Sequence, residues 1–282
     1  MSFGMIVSCI VDSAIDSLKL LPFLFITYLL MEYMEHKAGE KMVNTISKAG
    51  KGGPFIGGIL GAFPQCGFSA AASNLYAGRV ITIGTVFAVF LSTSDEMLPI
   101  MLSENVEFKT IGLFVGIKVV VGIFAGFIID YLFRGYEKTV SIHDICEHHH
   151  CHCEEGIFKS ALHHTFEIFI YILGISFALN LIISLIGQDA ITAFISNKPI
   201  LGELLAGVVG LIPNCAGSVI ITQLYLEKVI SFGAALSGLL AGSGVGILVL
   251  FKVNEDRKEN FKILGLLYVI SVLFGFVIGL FF

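Results

Sequence analysis

The sequence Pro64-Gln65-Cys66-Gly67-Phe68-Ser69 is echoed 149 residues later by Pro213-Asn214-Cys215-Ala216-Gly217-Ser218. At the same offset, without gaps, the match continues until Gly84 meets Gly233, and eight positions of residues 64–84 are identical. A shared membrane composition would repeat leucine and glycine, but it would not repeat proline, a polar residue and cysteine in one register. The chain therefore contains an internal repeat.

The composition places this repeat in a membrane. Of the 282 residues, 56% are hydrophobic and only 14% are charged, whereas soluble chains carry about 25% charged residues. These few charged side chains do not suffice to cover a soluble domain, which excludes a soluble enzyme and a disordered chain. The net charge of −5 offers no basic field, so we expect a lipid bilayer as the partner and no nucleic acid.

The chain alternates between apolar segments and short polar breaks. The apolar segments cover residues 18–35, 54–78, 80–102, 110–133, 164–187, 199–226, 229–251 and 262–282. The longest polar stretch, residues 134–160, separates the two copies of the repeat. We therefore divide the chain into a first transmembrane repeat (1–133), a His/Cys-rich linker (134–160) and a second transmembrane repeat (161–282).

The distribution of lysine and arginine distinguishes two topologies, because these residues collect on the cytoplasmic side. If all eight segments span, the two sides hold ten and six; if 54–78 and 199–226 are re-entrant hairpins broken at Pro64 and Pro213, they hold twelve and four. Each hairpin arm is also too short to cross the bilayer. The sequence thus predicts an all-α polytopic protein of the plasma membrane with ten helical segments. It has two inverted repeats, each with three spans and one re-entrant hairpin, both termini outside and the linker in the cytoplasm.

Inverted repeats with interrupted helices are typical of secondary transporters, which bind their substrate near the midplane where the interruptions meet. Proline removes a backbone donor and glycine permits unusual dihedral angles, so both hairpin tips are expected to unwind and expose carbonyl groups. The tip residues expected to bind the substrate or ion are Gln65, Cys66, Asn214, Cys215 and Ser218. The alternative is that the small cysteines only pack a tight tip.

A second candidate group lies midway along the apolar run 81–102, at Ser94, Asp95 and Glu96. Adjacent carboxylates at that depth cost several kcal/mol unless they are paired, protonated or bound to metal, so we expect them to bind the ion and to couple transport. The plain alternative is a span that ends earlier and leaves both acids in water.

The second repeat has no acid at the corresponding position, residues 241–246, so the site must be asymmetric. Lys118 lies inside another apolar segment and can pair with one of the two carboxylates, which would give it a coupling role. The alternative is that its ammonium reaches the membrane surface along its own side chain.

The linker contains a dense set of metal-seeking side chains. The candidate metal ligands are Cys146, His148, His149, His150, Cys151, His152 and Cys153. Such donors bind zinc and softer ions, but their spacing fits no defined zinc finger and indicates a flexible metal-capturing tract. The tract could sense metal, deliver it, or be a tolerated biased linker.

Residues 61–69, together with 92–99 and 212–218, resemble the ten-transmembrane heavy-metal exporter family, an arsenic-permease-like group that is also described as manganese transporters. The resemblance extends over nearly the whole chain. Its ten segments agree with six spans and two helices in each of two hairpins. The resemblance implies export of a metal or metalloid ion.

The side chains do not decide between two kinds of exported ion. Manganese prefers oxygen donors, which Asp95, Glu96, Gln65 and Asn214 would provide, whereas trivalent arsenic prefers the thiols of Cys66 and Cys215. The adjacent carboxylates favour a divalent metal such as manganese, with a heavy metal or metalloid such as arsenite as the other expectation. The sequence shows no nucleotide-binding motif, so we expect secondary-active efflux driven by protons through Asp95 or Glu96. No cofactor is required, and a homodimer is compatible with the sequence.

A rival hypothesis from another class is an intramembrane enzyme that resembles the lipid-pyrophosphate phosphatases, which also look like inverted repeats with two re-entrant hairpins. Residues 213–222 faintly resemble their phosphate loop, with Ser218 and Thr222 in place. Phosphate chemistry prefers an arginine in that loop, and residues 213–222 contain none. We therefore expect a transporter and no enzyme.

Overall fold

A computed structural model describes residues 52–64, 66–133, 157–186 and 201–281, together with separate residues between 10 and 29. The described regular structure is helical throughout, and these ranges contain no β-strand. The prediction of an all-α protein is therefore confirmed.

Eleven helices have defined bounds in the described ranges. They are α1 (Gly53–Gly61), α2 (Gly67–Ala77), α3 (Ile83–Ser92), α4 (Met97–Ser103), α5 (Phe108–Leu132), α6 (Ile157–Ile186), α7 (Gly202–Gly210), α8 (Cys215–Leu226), α9 (Phe232–Ala241), α10 (Gly246–Val253) and α11 (Arg257–Gly279). Short breaks at the proline-containing tips separate α1 from α2 and α7 from α8. Breaks of four residues also separate α3 from α4 and α9 from α10.

The helix bounds recur with the offset of the sequence repeat. Helices α1, α3, α4 and α5 begin 149 residues before α7, α9, α10 and α11, and α2 begins 148 residues before α8. Helices α3 and α9 also share their capping chemistry, since the hydroxyls of Thr82 and Ser231 accept hydrogen bonds from the backbone N–H groups of Thr85 and Ala234. The repeated sequence therefore produces the same series of helices twice.

Five helical stretches of described residues are long and apolar enough to cross a membrane: Ile83–Ser103, Phe108–Leu132, Ala161–Ala178, Phe232–Val253 and Arg257–Gly279. The first and the fourth of these stretches run through the four-residue breaks. The arms at the proline tips are much shorter. Even α8, with 12 residues, is only about 18 Å long, whereas the apolar core of a bilayer is about 30 Å thick.

Paired glycines bring the long helices close together. A Cβ added at Gly126 of α5 would lie 2.6 Å from the carbonyl oxygen of Gly84 in α3, and a Cβ added at Gly275 of α11 would lie 2.8 Å from that of Gly233 in α9. Small residues allow such backbone approach between membrane helices. The two halves are also interlocked, because α2 packs against α10 and α8 packs against α4.

Candidate functional site

The two cysteines of the repeated motif meet although they lie 149 residues apart. Cys66 caps the N-terminus of α2, and Cys215 is the first residue of α8. Their sulfur atoms are 3.2 Å from each other, and neither residue is in a disulfide. The expected proximity of the two tips is therefore present in the structure, with one thiol contributed by each half of the chain.

Asp95 lies beside this thiol pair, in the break between α3 and α4. Its side chain is 5% exposed, and its Oδ1 atom has no hydrogen-bond partner in the described part of the chain. The carboxylate and the Cys66 thiol are neighbours, since both border Gly244. A buried carboxylate oxygen without a donor is costly, so this atom is available to a cation.

The backbone of the other half completes one wall of the site. Gly244 occupies the position 149 residues after Asp95, and both residues have a positive φ, 55° and 22° respectively. A Cβ added at Gly244 would lie 2.7 Å from Asp95 Oδ2 and 3.4 Å from the sulfur of Cys66. Glycine is therefore required here for space as well as for its left-handed conformation.

Lys118 of α5 is buried in the same region, with 1% of its surface exposed. Its ammonium donates hydrogen bonds to the backbone carbonyl oxygens of Thr93, which caps the end of α3, and of Leu239, in the last turn of α9. The second bond is 2.7 Å long. Asp95 is near enough to act on the ammonium through its charge, and the coupling role expected for Lys118 stays a prediction.

The serines of the motif are engaged with the backbone. The hydroxyls of Ser69 and Ser218 donate to the carbonyl oxygens of Cys66 and Cys215, each over 2.8 Å. Ser218 thus fixes the first turn of α8 and positions the thiol. Its proton is directed at the helix backbone, and this geometry does not favour the nucleophilic role that a phosphatase would require.

Ser94 and Glu96, the other two candidates of this region, have different surroundings from those of Asp95. Ser94 is buried and donates to the carbonyl oxygen of Ser92 over 3.2 Å. Glu96 is only partly buried and forms the N-terminal boundary of α4 without a side-chain capping bond. The two adjacent carboxylates therefore occupy distinct environments, and Asp95 alone is buried at the thiols.

Asn214 belongs to a buried polar chain that the sequence reasoning missed. Its side-chain amide donates to Asn180 of α6 over 2.7 Å, and the Asn180 amide donates to the hydroxyl of Ser13 over 2.9 Å. Ser13 and Ser17 are fully buried, and the Ser17 hydroxyl has no partner among the described residues. The available signal was the four-residue spacing of the two serines just before the first apolar segment.

A second polar cluster joins the two halves at the end of α2. The Arg79 guanidinium lies 3.1 Å from the Glu259 carboxylate of α11, and Tyr76 donates to the same carboxylate over 2.5 Å. Burial opposes the charge of Arg79, but the hydrogen bonds and charge of Glu259 raise the pKa of its guanidinium above the ordinary value. The 149-residue counterpart of Arg79 is Lys228. Both have φ near 55–60°, but Lys228 is exposed and has no ion pair in the described chain.

The donor set at the centre is small. In the parts of the chain that the structure describes, no three or more His, Cys, Asp and Glu side chains form a metal-holding group. The thiols of Cys66 and Cys215, the Asp95 carboxylate and nearby backbone carbonyls are what an ion would meet. Gln65 and the cysteines and histidines of residues 146–153 lie outside the described residues.

Comparison with known proteins identifies one related family. The chain matches the family model described as "Putative, 10TM heavy-metal exporter" over residues 5–187 and 172–281. These two ranges overlap and together include both tips and every helix named above. Searches among curated proteins and among solved structures gave no significant match. The resemblance seen in the motifs of the tips is therefore confirmed over nearly the whole chain.

Proposed function

The chain belongs to this ten-transmembrane heavy-metal exporter family, and from that premise we propose that it exports a thiophilic metal or metalloid ion by secondary-active transport. The observation that carries the proposal is the 3.2 Å approach of Cys66 and Cys215, with Asp95 beside them, whose Oδ1 has no hydrogen-bond partner among the described residues. Paired thiols select soft or borderline ions such as cadmium, zinc and trivalent arsenic.

The oxygen donors that would favour manganese are less well assembled than the thiols. The amide nitrogen of Asn214 donates to Asn180, which ties this side chain to α6, and Glu96 is partly exposed at the start of α4. Asp95 is then the main side-chain oxygen donor. We therefore rank a thiophilic ion above manganese, with Ser94 and Ser218 supporting the backbone around it.

A sparse donor set suits transport better than permanent storage. An exporter must bind its cargo firmly enough to capture it and weakly enough to release it. Two thiols and one carboxylate satisfy this requirement, because they leave part of the coordination of the ion to backbone oxygens or water. They lie at three breaks between helices, α1/α2, α7/α8 and α3/α4, and secondary transporters place their sites at such interruptions.

We further propose that the two repeats are inverted and that both proline tips are re-entrant. The loop before α3 and the loop before α11 must lie on one side of the membrane, because Arg79 contacts Glu259 at 3.1 Å. A single span formed by α7 and α8, which lie between the two loops in sequence, would separate these loops by the whole bilayer, and the repeat extends the re-entrant form to α1 and α2. The lysine and arginine distribution places that side in the cytoplasm of a plasma-membrane protein.

We assign the coupling between metal export and proton movement to the buried side chains of Asp95 and Lys118. Asp95 and Lys118 act on each other inside the membrane, and Glu96 is the neighbouring acid. An arriving cation would compete with Lys118 for the negative charge of Asp95, so metal binding and proton movement would be linked. The linker donors at residues 146–153 would capture metal in the cytoplasm before export.

The test is a metal panel in cells that produce the wild-type protein, the double variant Cys66→Ser/Cys215→Ser, or the control variant Cys9→Ser. Cells are exposed to cadmium, zinc, manganese and arsenite, and the retained metal is measured. We expect the wild type and the control to lower retained cadmium, zinc or arsenite, and the double variant to lose this effect. Export of manganese alone, unaffected in the double variant, would contradict the thiol site.

A further inference from the structure

We propose that the ammonium of Lys118 serves as a built-in monovalent cation at the junction of the two interrupted helices, so that export requires no sodium ion. The inference deepens the proposed export function and rests on it. It concerns the coupling cation, whereas the thiols concern the cargo. The proposal rests on the contacts of the ammonium, on its burial and on its occurrence in only one half of the chain.

The ammonium contacts a carbonyl in the last turn of α9 and the carbonyl of Thr93, the C-cap residue of α3. The last four carbonyls of a helix lack an intrahelical partner. Leu239 lies in the last turn of α9, which ends at Ala241, and Thr93 directly follows the last residue of α3. Lys118 donates to both, so one cation satisfies two helix ends that come from opposite halves of the chain.

These helix ends form a cation site by their electrostatics as well. The C-terminus of a helix carries about half a negative charge, and α3 and α9 both end inside the membrane region. In secondary transporters, unwound carbonyls and the C-terminal ends of half-helices coordinate the coupling cation. Here the protein supplies that cation on the side chain of α5.

The ammonium is buried, and the equivalent position of the other half carries no lysine. Lys118 is 1% exposed, which excludes an ammonium that reaches the membrane surface. The residue 149 positions later is Leu267 of α11, which is completely buried and apolar. The two halves therefore differ in charge at this position, and only one cation is placed between the carbonyls. Asp95 is the charged group that acts on it.

A thermal-stability experiment tests the cation site independently of transport. Lys118→Ala removes the atoms of n-propylammonium, so this small cation can refill the space between the carbonyls. We expect it to raise the melting temperature of Lys118→Ala by about 2–4 °C relative to choline at equal ionic strength. Wild type and Lys118→Met should not respond, because the lysine or the methionine already fills the space.

A merely structural bond from Lys118 predicts a different result. In that case Lys118→Ala would be less stable, but propylammonium would stabilise it no more than choline does. The proposal would also be overturned if propylammonium changed the melting temperatures of Lys118→Ala and Lys118→Met by the same amount. A clear rise for wild type in sodium would also overturn it, since the site would then take sodium from solution.

Flux measurements in proteoliposomes provide the second test, which uses wild type and does not depend on the folding of a variant. We expect the same rate of metal export with sodium or choline as the only monovalent cation besides protons. Export that requires sodium would overturn the built-in cation while leaving the export function intact. Absence of flux in both media would contradict the proposed function, and the thermal experiment would then decide the cation site on its own.

Discussion

At the scale of single residues, Asp95 combines an unusual backbone with a buried charge. Its φ of 22° and that of Gly244, 55°, occupy equivalent positions in the two halves. A positive φ is uncommon outside glycine and tends to occur at functional sites. The first half thus carries a carboxylate where the second half carries only backbone, and this difference makes one asymmetric site out of two similar breaks.

Replacing Asp95 by asparagine should abolish export, because the charge is lost while asparagine still tolerates the left-handed conformation. We expect affinity for the exported metal to fall about tenfold or more. Metal binding to purified protein and retained metal in cells measure the effect. The control is Glu104→Gln, an exposed acid just beyond α4, which should behave as wild type; wild-type binding by Asp95→Asn would refute the role of the carboxylate.

Replacing Gly244 by alanine should disable the site without changing any ligand. The new Cβ would lie 2.7 Å from Asp95 Oδ2 at a residue with positive φ, so we expect loss of export and a melting temperature lower by about 2–4 °C. The matched control is Gly112→Ala on α5, where a Cβ meets nothing within 4 Å. Equal behaviour of the two variants in both assays would argue against the close approach at Gly244.

Residue types and the repeat register suffice to select Cys66, Cys215, Asp95 and Lys118 from the sequence. The sequence could not indicate which groups Lys118 contacts, because that depends on where α3 and α9 end in space. Asn180 escaped prediction for a similar reason, since its partners Asn214 and Ser13 come from distant segments. Polar residues whose partners are set by tertiary packing leave little local signal.

At the scale of elements, the contact between the end of α2 and the start of α11 joins the two halves by charge. Glu259 accepts hydrogen bonds from Arg79, Tyr76 and Asn254. The equivalent position of the other half has Lys228 without an ion pair in the described ranges. The ionic cluster at Arg79 therefore has no counterpart at Lys228 among the described residues.

Replacing Glu259 by glutamine removes the ion pair with Arg79 and should lower the melting temperature. We expect a modest loss of about 2–4 °C, because the pair is only partly buried. The exchange Arg79→Glu with Glu259→Arg should recover part of the loss, since the pair is restored in reverse. Lys228→Gln serves as the control and should leave stability unchanged. Thermal unfolding of the purified variants measures these effects. An unchanged melting temperature for Glu259→Gln would contradict the view that the cluster holds the two halves of the chain together.

At the scale of the whole molecule, the helix bounds follow the sequence repeat closely because the same caps and breaks occur twice. The apolar segments located the long helices well. Periodicity could not show that spans 83–103 and 232–253 are each interrupted, since no proline lies in their breaks and the interruption depends on Asp95 and Gly244. Nor could it show that α2 packs against α10 of the other half.

The proposed topology predicts which loops are accessible in intact cells to a membrane-impermeant maleimide. Glu104→Cys should be labelled from outside, and Val80→Cys only after permeabilisation, because re-entrant tips keep each hairpin on one side. Lys228→Cys and Glu255→Cys are the outside and inside controls. The reverse pattern for positions 80 and 104, with the two controls as expected, would mean that the hairpin of α7 and α8 spans and would refute the re-entrant topology.

The meeting of Cys66 with Cys215 sets the stoichiometry of the molecule. A duplicated chain would be expected to carry two sites, one in each copy. Here each copy gives one thiol to a common centre, so under the proposed function neither copy contains a complete site and a single chain would hold a single cargo ion. Each conformational cycle would therefore move one ion, and two chains that associate would work as two independent exporters with one ion apiece.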